Sequence, residues 1–152
     1  MLLALGATTP VAAIEEQPAP PLLTAVKLEL TGQLGEGEVK VLPDGANIPY
    51  IVGTSCVGWR LRFTPVSGSV QLEEQMILPA PAVTWPDETN TTIAADGLSA
   101  RTPIVADASA GVAANSWCVA PGDPRGRHRF VVRHGRRVLG VLTFTVGVPP
   151  TP

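Results

Sequence analysis

The sequence predicts an all-β protein, an antiparallel β-sandwich of about seven strands, and three observations support this fold class. Sixteen prolines and fifteen glycines among 152 residues, with only 16% charged residues, are typical of short strands joined by many turns. Several segments alternate apolar and polar residues, and none shows the period of an amphipathic helix. Turn residues also recur at intervals of about ten residues, the spacing expected for short antiparallel strands.

Two segments precede the predicted sandwich. Residues 1–13, MLLALGATTPVAA, resemble the apolar part of a secretory signal, with Val11 and Ala13 placed like the small residues before a cleavage site. Because no basic residue precedes the apolar run, a disordered apolar terminus is the alternative interpretation. Residues 14–23 are rich in proline and contain two acidic residues, which predicts an extended leader. The predicted sandwich domain then covers residues 24–147.

The signal-like segment predicts an exported protein, located in the periplasm or outside the cell. No stretch reaches the roughly 18 to 20 apolar residues that cross a bilayer, so we expect no membrane span. Residues 148–152, VPPTP, form a proline-rich tail that cannot continue a sheet.

Period-two patterns define the first strands of the domain. In TAVKLELTGQ, which starts at Thr24, every second residue from Val26 to Leu30 is apolar, as expected for a strand with one buried face. A second strand places four large apolar residues on one face, namely Val57, Trp59, Leu61 and Phe63. The segment VSGS then turns the chain into a third strand, whose inward residues are Val70, Leu72, Met76 and Leu78.

Glu74 has the same parity as the inward residues of that third strand. A carboxylate that faces a core is costly unless it is paired, and an arginine or a bound ligand is a suitable partner. Alternatively, a β-bulge at Glu73 and Glu74 resets the alternation and places both carboxylates in water. Because bulges are common in strands near sheet edges, the pattern favours the bulge.

Residues 79–116 are rich in Ala, Thr, Pro, Asp and Ser and have no sustained period. A structureless loop of this length is unusual in a compact domain, so we expect short strands such as LSARTPIVA to interrupt it. Trp85 is the one large aromatic residue of this segment. We expect Trp85 to pin the loop onto the sandwich, and recognition of a partner is its alternative role.

The last third of the domain predicts a β-hairpin. Phe130 and Val132 lie on one face of its first strand, and HGRR forms a tight turn around Gly135. In the second strand, VLGVLTFTV, the expected inward residues are Val138, Leu142, Phe144 and Val146. The opposite face of the first strand carries Arg127, Arg129, Val131 and Arg133, and the turn carries Arg136 and Arg137.

Four segments also carry a resemblance to a known family. NIPYIVGTSCVGWRLRF, VQLEEQMILPAPAVTWP, WCVAPG and GRRVLGVLTFTV follow one another like the segments of a bacterial exported domain-of-unknown-function family with an immunoglobulin-like β-sandwich fold. The resemblance covers residues 24–147 and implies an immunoglobulin-like sandwich with no catalytic residues to carry over. The chain departs from the family pattern at Cys56, where an aromatic residue is usual, at Cys118, where an acid is usual, and in the extra residues of PGDPRG.

The first two departures are the two cysteines of the chain. In an exported protein Cys56 and Cys118 can pair, which closes a loop of about 60 residues and adds on the order of 3 to 4 kcal/mol of stability. The replacement of both family residues together is what a disulfide requires. However, Cys56 has the parity of Arg60 and Arg62 and not that of the core residues, so two unpaired thiols are the alternative.

The sequence contains no recognisable catalytic, metal or cofactor motif. A zinc site needs about four Cys or His ligands that include a close pair, whereas Cys118, His128 and His134 are well separated. A Gly-x-Ser-x-Gly elbow, a phosphate loop and a dinucleotide fingerprint are all absent. We therefore expect no enzyme activity, no metal and no cofactor. The alternative is a small hydrolase that uses His128 or His134 with a carboxylate.

The basic residues cluster near the end of the chain: residues 1–100 carry a net charge of −7 and residues 101–152 a net charge of +5. The sequence predicts a non-enzymatic, exported binding or structural module of the bacterial cell envelope. An anionic envelope polymer or an acidic protein is the expected partner. The candidate binding residues are Trp85, Arg127, Arg129, Arg133, Arg136 and Arg137.

Two other interpretations of the arginine-rich face are open. Binding of nucleic acid or another polyanion is one, but the face has no interleaved aromatic residues for stacking bases, and an exported protein rarely meets nucleic acid. The other is a solvated face without a partner. Its arginines would then pair with Glu29, Glu73 or Glu74, or protect an edge strand from aggregation.

Overall fold

The computed structural model describes residues 11–14, 20–85 and 90–147. Most of the predicted signal segment, residues 15–19 of the predicted leader and the whole predicted tail therefore lie outside the described residues. Among the residues that the structure describes, no helix is long and apolar enough to span a membrane.

Ten strands in the described residues form two sheets. Sheet A consists of β1 (Lys27–Leu34), β2 (Lys40–Leu42), β4 (Ser55–Arg62) and β8 (Val112–Cys118), in the order β2-β1-β4-β8. Sheet B consists of β3 (Ala46–Ile48), β5 (Ser69–Ile77), β6 (Thr92–Ile93), β7 (Ser99–Asp107), β9 (Gly126–His134) and β10 (Arg137–Val146), in the order β3-β10-β9-β5-β7-β6. Every strand pair is antiparallel except β3 and β10, which are parallel.

This architecture confirms the predicted all-β antiparallel sandwich. Seven of the strands are at least seven residues long, and the other three, β2, β3 and β6, have two or three residues each and lie at sheet edges. The VSGS turn does not close a hairpin, because β4 and β5 lie in different sheets and the turn carries the chain from one sheet to the other.

The hydrophobic core lies between the two sheets. The residues expected to face inward on β4 and β5 are all buried, namely Val57, Trp59, Leu61, Phe63, Val70, Leu72, Met76 and Leu78. Each large apolar side chain removed from water in this way contributes about 1.5–3 kcal/mol. Leu23, the last residue of the predicted leader, is 2% exposed and also belongs to the core.

Glu74 faces the core, so the interpretation as a bulge is wrong. β5 pairs with β7 without a break in register, from Ser69 opposite Asp107 to Ile77 opposite Ser99, and the alternation of β5 therefore continues through Glu74. Two neutral side chains donate to this carboxylate. Trp59 Nε1 donates to Glu74 Oε2 over 2.5 Å, and Asn115 Nδ2 donates to the same oxygen over 2.8 Å.

A bulge does occur, but in β10. The pairing of β10 with β9 shifts register between Val138 and Gly140, which reverses the side-chain alternation. As a result Val138, expected to face inward, is 49% exposed, and Leu139 packs against the core instead. Gly140 then faces Leu28 of β1, where a Cβ atom would lie 2.6 Å from Leu28 Cδ2.

The segment 79–116 contains more regular structure than its composition indicates. The expected strand LSARTPIVA is confirmed by β7, and residues 112–116, for which the composition indicates no strand, belong to β8. β8 has a weak period-two signal because its inward residues are of three kinds, Ala113, Asn115 and Trp117. Small and amide side chains suffice at Ala113 and Asn115 because β8 lies at an edge of sheet A.

Cys56 and Cys118 form a disulfide. The two residues lie directly opposite each other on neighbouring strands, β4 and β8, with their Cα atoms 3.9 Å apart. The alternation of β4 correctly predicted that Cys56 shares a face with Arg60 and Arg62, because all three residues lie on the outer face of sheet A. The disulfide therefore joins two strands of one sheet and does not cross the core.

Reduction of this disulfide is expected to lower the free energy of unfolding by roughly 2–4 kcal/mol, because it releases a long loop of the unfolded chain. The measurement is urea unfolding with and without a thiol reductant. A variant with Cys56→Ala and Cys118→Ala is the control, and reductant should not change its unfolding midpoint. Equal midpoints for the oxidised and reduced wild-type protein would contradict the expectation.

Candidate binding surfaces

The five predicted binding arginines all lie in the β9–β10 hairpin of sheet B. Arg127 and Arg129 are exposed on the outer face of β9, opposite Thr145 and Thr143 of β10. Arg133 lies further along the same face and is half-buried. Arg136 and Arg137 are exposed at the hairpin turn.

Arg133 already has partners within the sheet. Its Nη1 atom donates to Gln75 Oε1 over 3.0 Å and lies 3.8 Å from Glu73 Oε1. Arg101 Nη1 lies 3.6 Å from the same Glu73 oxygen. Glu73 is therefore shared between two arginines of the outer face of sheet B.

The other outer-face carboxylate expected to pair with arginines, Glu29, is half-buried and lies on sheet A. Lys27 and Arg60 bond to its two oxygens at 2.9 Å each, and Arg62 Nε lies 3.6 Å away. The hydrogen bonds from Lys27 and then Arg60 lower the pKa of Glu29 to about 2. This carboxylate cannot serve the β9 arginines, because it lies on the opposite sheet.

The remaining four arginines of the hairpin are not engaged in this way. Among the described residues, no hydrogen bond or ion pair joins their side chains to another group. These four residues are Arg127, Arg129, Arg136 and Arg137. We call Arg127 and Arg129 with their strand neighbours Thr143 and Thr145 the arginine face.

Trp85 is not part of the arginine face. It borders two adjoining cavities between the sheets, and none of the five arginines is among the described residues that border them. Trp85 is half-buried and packs against the core, which agrees with the expectation that it pins its segment onto the sandwich.

The histidines alternate with the arginines along β9 and point away from the arginine face. His128 is 0% exposed, and its ring stacks on Phe144 at 5.2 Å between centroids. Its Nδ1 atom lies 2.9 Å from the carbonyl oxygen of Gly126, and burial lowers the pKa of the ring. His134 is half-buried at the end of β9.

This arrangement gives no support to the hydrolase interpretation. The ring hydrogen bond of His128 goes to a backbone carbonyl, and the Nε2 atoms of His128 and His134 have no hydrogen-bond partner among the described groups. In the part of the chain that the structure describes, no three His, Cys, Asp or Glu side chains are grouped to hold a metal ion.

The cleft beside Trp85 includes residues that the sequence did not single out. Trp117 and Ser116 border both of its cavities, Asn115 borders the first, and Asp123 borders the second. Asp123 is 9% exposed, one of its carboxylate oxygens accepts the Ala120 N–H, and burial raises its pKa. The alternation of β8 is the signal that could have placed Asn115 and Trp117 on one inward face.

Comparison with known proteins agrees with this architecture. A family model described as the PM0630 beta sandwich domain matches residues 27–147. The structure is similar to that of an immunoglobulin-like protein from Pseudomonas aeruginosa, with a TM-score of 0.55 and 18% identity over 81% of this chain and 97% of that chain. No curated protein matches the chain. The expected resemblance to a bacterial immunoglobulin-like sandwich family is therefore confirmed.

The buried ring of His128 predicts a loss of stability in acid. In the unfolded chain His128 takes up a proton near its ordinary pKa of 6.5, whereas the folded ring takes it up at lower pH. Below pH 6.5 the unfolded state therefore binds more protons than the folded state. The stability that the neutral, buried ring provides is fully present above pH 6.5, and it decreases as the pH falls, by at most about 1.4 kcal/mol per pH unit.

The measurement is the free energy of unfolding by urea between about pH 8 and pH 5. The variant His128→Phe keeps a ring next to Phe144 and should lose this part of the pH dependence. His134→Gln is the matched control and should keep the wild-type slope. A His128→Phe protein with the wild-type slope would show that another group is responsible.

Proposed function

Because the chain belongs to the PM0630 beta sandwich domain family, a family named for its fold, we propose that it acts by binding a partner, as an exported non-enzymatic module of the bacterial cell envelope. The disulfide supports export. Disulfides persist in oxidising compartments, and the Cys56–Cys118 bond lies on the outer face of sheet A, where Cys118 is exposed to the surrounding solution. The signal-like residues 1–13 agree with this location.

The observation that carries the binding role is the presence of exposed arginines that have no carboxylate partner in the described structure. Glu29 and Glu73 neutralise arginines on the two outer sheet faces, whereas Arg127 and Arg129 are exposed without a carboxylate partner in the described structure. A pair of guanidinium groups on one strand face costs stability through mutual repulsion. A bound anion removes that repulsion.

The chemistry of the arginine face fits an anionic envelope polymer. Residues two apart on a strand lie about 7 Å apart on one side of a sheet, so Arg127 and Arg129 present two cationic groups in a row. Each guanidinium can hold a carboxylate or phosphate group through two parallel hydrogen bonds. Thr145 adds a hydroxyl group beside Arg127, whereas the Thr143 hydroxyl beside Arg129 donates to Asp44 Oδ1 over 3.1 Å. A polymer with repeated negative charges can engage both arginines at once.

Export gives the first expected outcome. When the full chain is expressed in a bacterial host, we expect the protein in the periplasmic fraction, cleaved after Ala13 and oxidised at both cysteines. Intact mass spectrometry under non-reducing conditions measures the cleavage and the disulfide together. A chain that starts at Ile14 is the control and should stay in the cytoplasm with reduced thiols. Retention of the uncleaved full chain in the cytoplasm would refute export.

Binding gives the second expected outcome. Arg127→Gln with Arg129→Gln should weaken binding to dextran sulfate by about tenfold or more at low salt, because two charge-assisted contacts are lost. Neutral dextran is the ligand control. Arg60→Gln with Arg62→Gln is the matched protein control, since it removes the same charge from the outer face of sheet A. Biolayer interferometry at several salt concentrations measures the binding of both double variants and of the wild-type protein.

The same assay decides against the proposal in two ways. Equal losses in both double variants would show that only net charge matters. Binding to dextran sulfate that survives the loss of Arg127, Arg129, Arg136 and Arg137 together would place the contact elsewhere on the chain. An acidic protein as the natural partner would compete with dextran sulfate for the same two arginines.

A further inference from the structure

We propose that the cleft between Trp85 and Trp117 binds a neutral saccharide, with sugar rings against the indoles and sugar hydroxyls on the polar side chains between them. The cleft consists of two adjoining cavities of about 210 and 350 Å³, which share Trp85, Ser116 and Trp117. Even without the smaller cavity, the larger one falls within the range of about 300–1,000 Å³ that small-molecule sites occupy.

The cleft exists because the two sheets have different widths. Sheet A ends at β8, whereas sheet B continues from β5 to β7 and β6. The inner face of β7 therefore borders open space, and Ala100, Thr102 and Ile104 line the first cavity from that side. From the other side, the inward residues Asn115 and Trp117 of the edge strand β8 complete the walls.

The two tryptophans provide apolar walls of fixed position. Trp117 lies opposite the buried Val57 on β4 and next to His128, with 6.0 Å between the two ring centroids. Trp85 packs against the core from the segment that follows β5. Both indoles are half-buried, so each is held by the core and still borders the cavities. The C–H face of a sugar ring packs well on such a flat surface.

The polar groups of the cleft are held in place by hydrogen bonds within the protein. Asn115 Nδ2 donates to Glu74, a residue that is 5% exposed, and the hydroxyls of Thr91 and Thr102 lie 2.9 Å apart. Asp123 is held by the Ala120 N–H at the edge of the second cavity. Groups that are positioned in advance bind hydroxyls at a smaller cost in entropy.

The charge of the lining selects a neutral ligand. Each cavity is bordered by a carboxyl group, Glu74 in the first and Asp123 in the second, and no lysine or arginine is among their described lining residues. An anionic ligand would meet no counter-charge there. The cleft therefore differs in chemistry from the arginine face, and this inference does not depend on the proposed function.

Isothermal titration calorimetry with triacetylchitotriose and maltotriose tests the inference on the full chain. We expect saturable binding of at least one of these neutral trisaccharides. Trp85→Ala should weaken that binding by about tenfold or more, since an aromatic wall is lost. Val83→Ala lies two residues away, does not border either cavity, and should bind like the wild-type protein.

Trp117→Phe is a second variant, which keeps an aromatic ring in the sandwich. This single variant should weaken binding less than the double variant with Trp85→Ala and Trp117→Phe. The variant Arg127→Gln with Arg129→Gln should bind the trisaccharide normally. Absence of binding to both trisaccharides would overturn the inference, as would binding that Trp85→Ala leaves unchanged. Tighter binding of tetramethylammonium than of either sugar would also overturn it, because the cleft would then select a cation.

Discussion

The structure depends on a hydrogen-bonded group in the core, formed by Trp59, Glu74 and Asn115. Glu74 comes from sheet B, whereas its two donors come from neighbouring strands of sheet A. A buried carboxyl without partners costs several kcal/mol, so only arrangements that bring these strands together are stable. The group thus sets how β5 faces β4 and β8, and it keeps the apolar residues on either side of Glu74 directed inward.

The sandwich is open beside β8. Asn115 is inward on this edge strand and donates to Glu74 of β5, whereas inward residues of β7 line the first cavity. The Cys56–Cys118 bond holds the end of this strand against β4 from the outer face. In addition to its pairing with β4, this edge strand therefore has one covalent and one side-chain polar contact, and the cleft lies next to both.

On the outer faces of the sheets, carboxylates are paired with charged side chains, and water screens these charges. Glu29 on sheet A and Glu73 on sheet B each lie close to the arginines that the strand register places beside them. The register gives Arg133 such a neighbour and gives Arg127 and Arg129 threonines instead. Whether an arginine is free for a partner is thus decided by its position along β9 and not by its membership of a basic cluster.

The sequence alone determined the fold class, the inward rows of β4 and β5 and the opposite faces of the arginines and of Phe130 and Val132 on β9, because period-two alternation depends only on local backbone geometry. It suggested the residues of the disulfide but could not decide the pairing. The tertiary structure decided what depends on distant partners. It turned Glu74 inward by supplying Trp59 and Asn115, and it joined Cys56 to Cys118 across adjacent strands. Such contacts join residues 15 to 62 positions apart, beyond the reach of any local pattern.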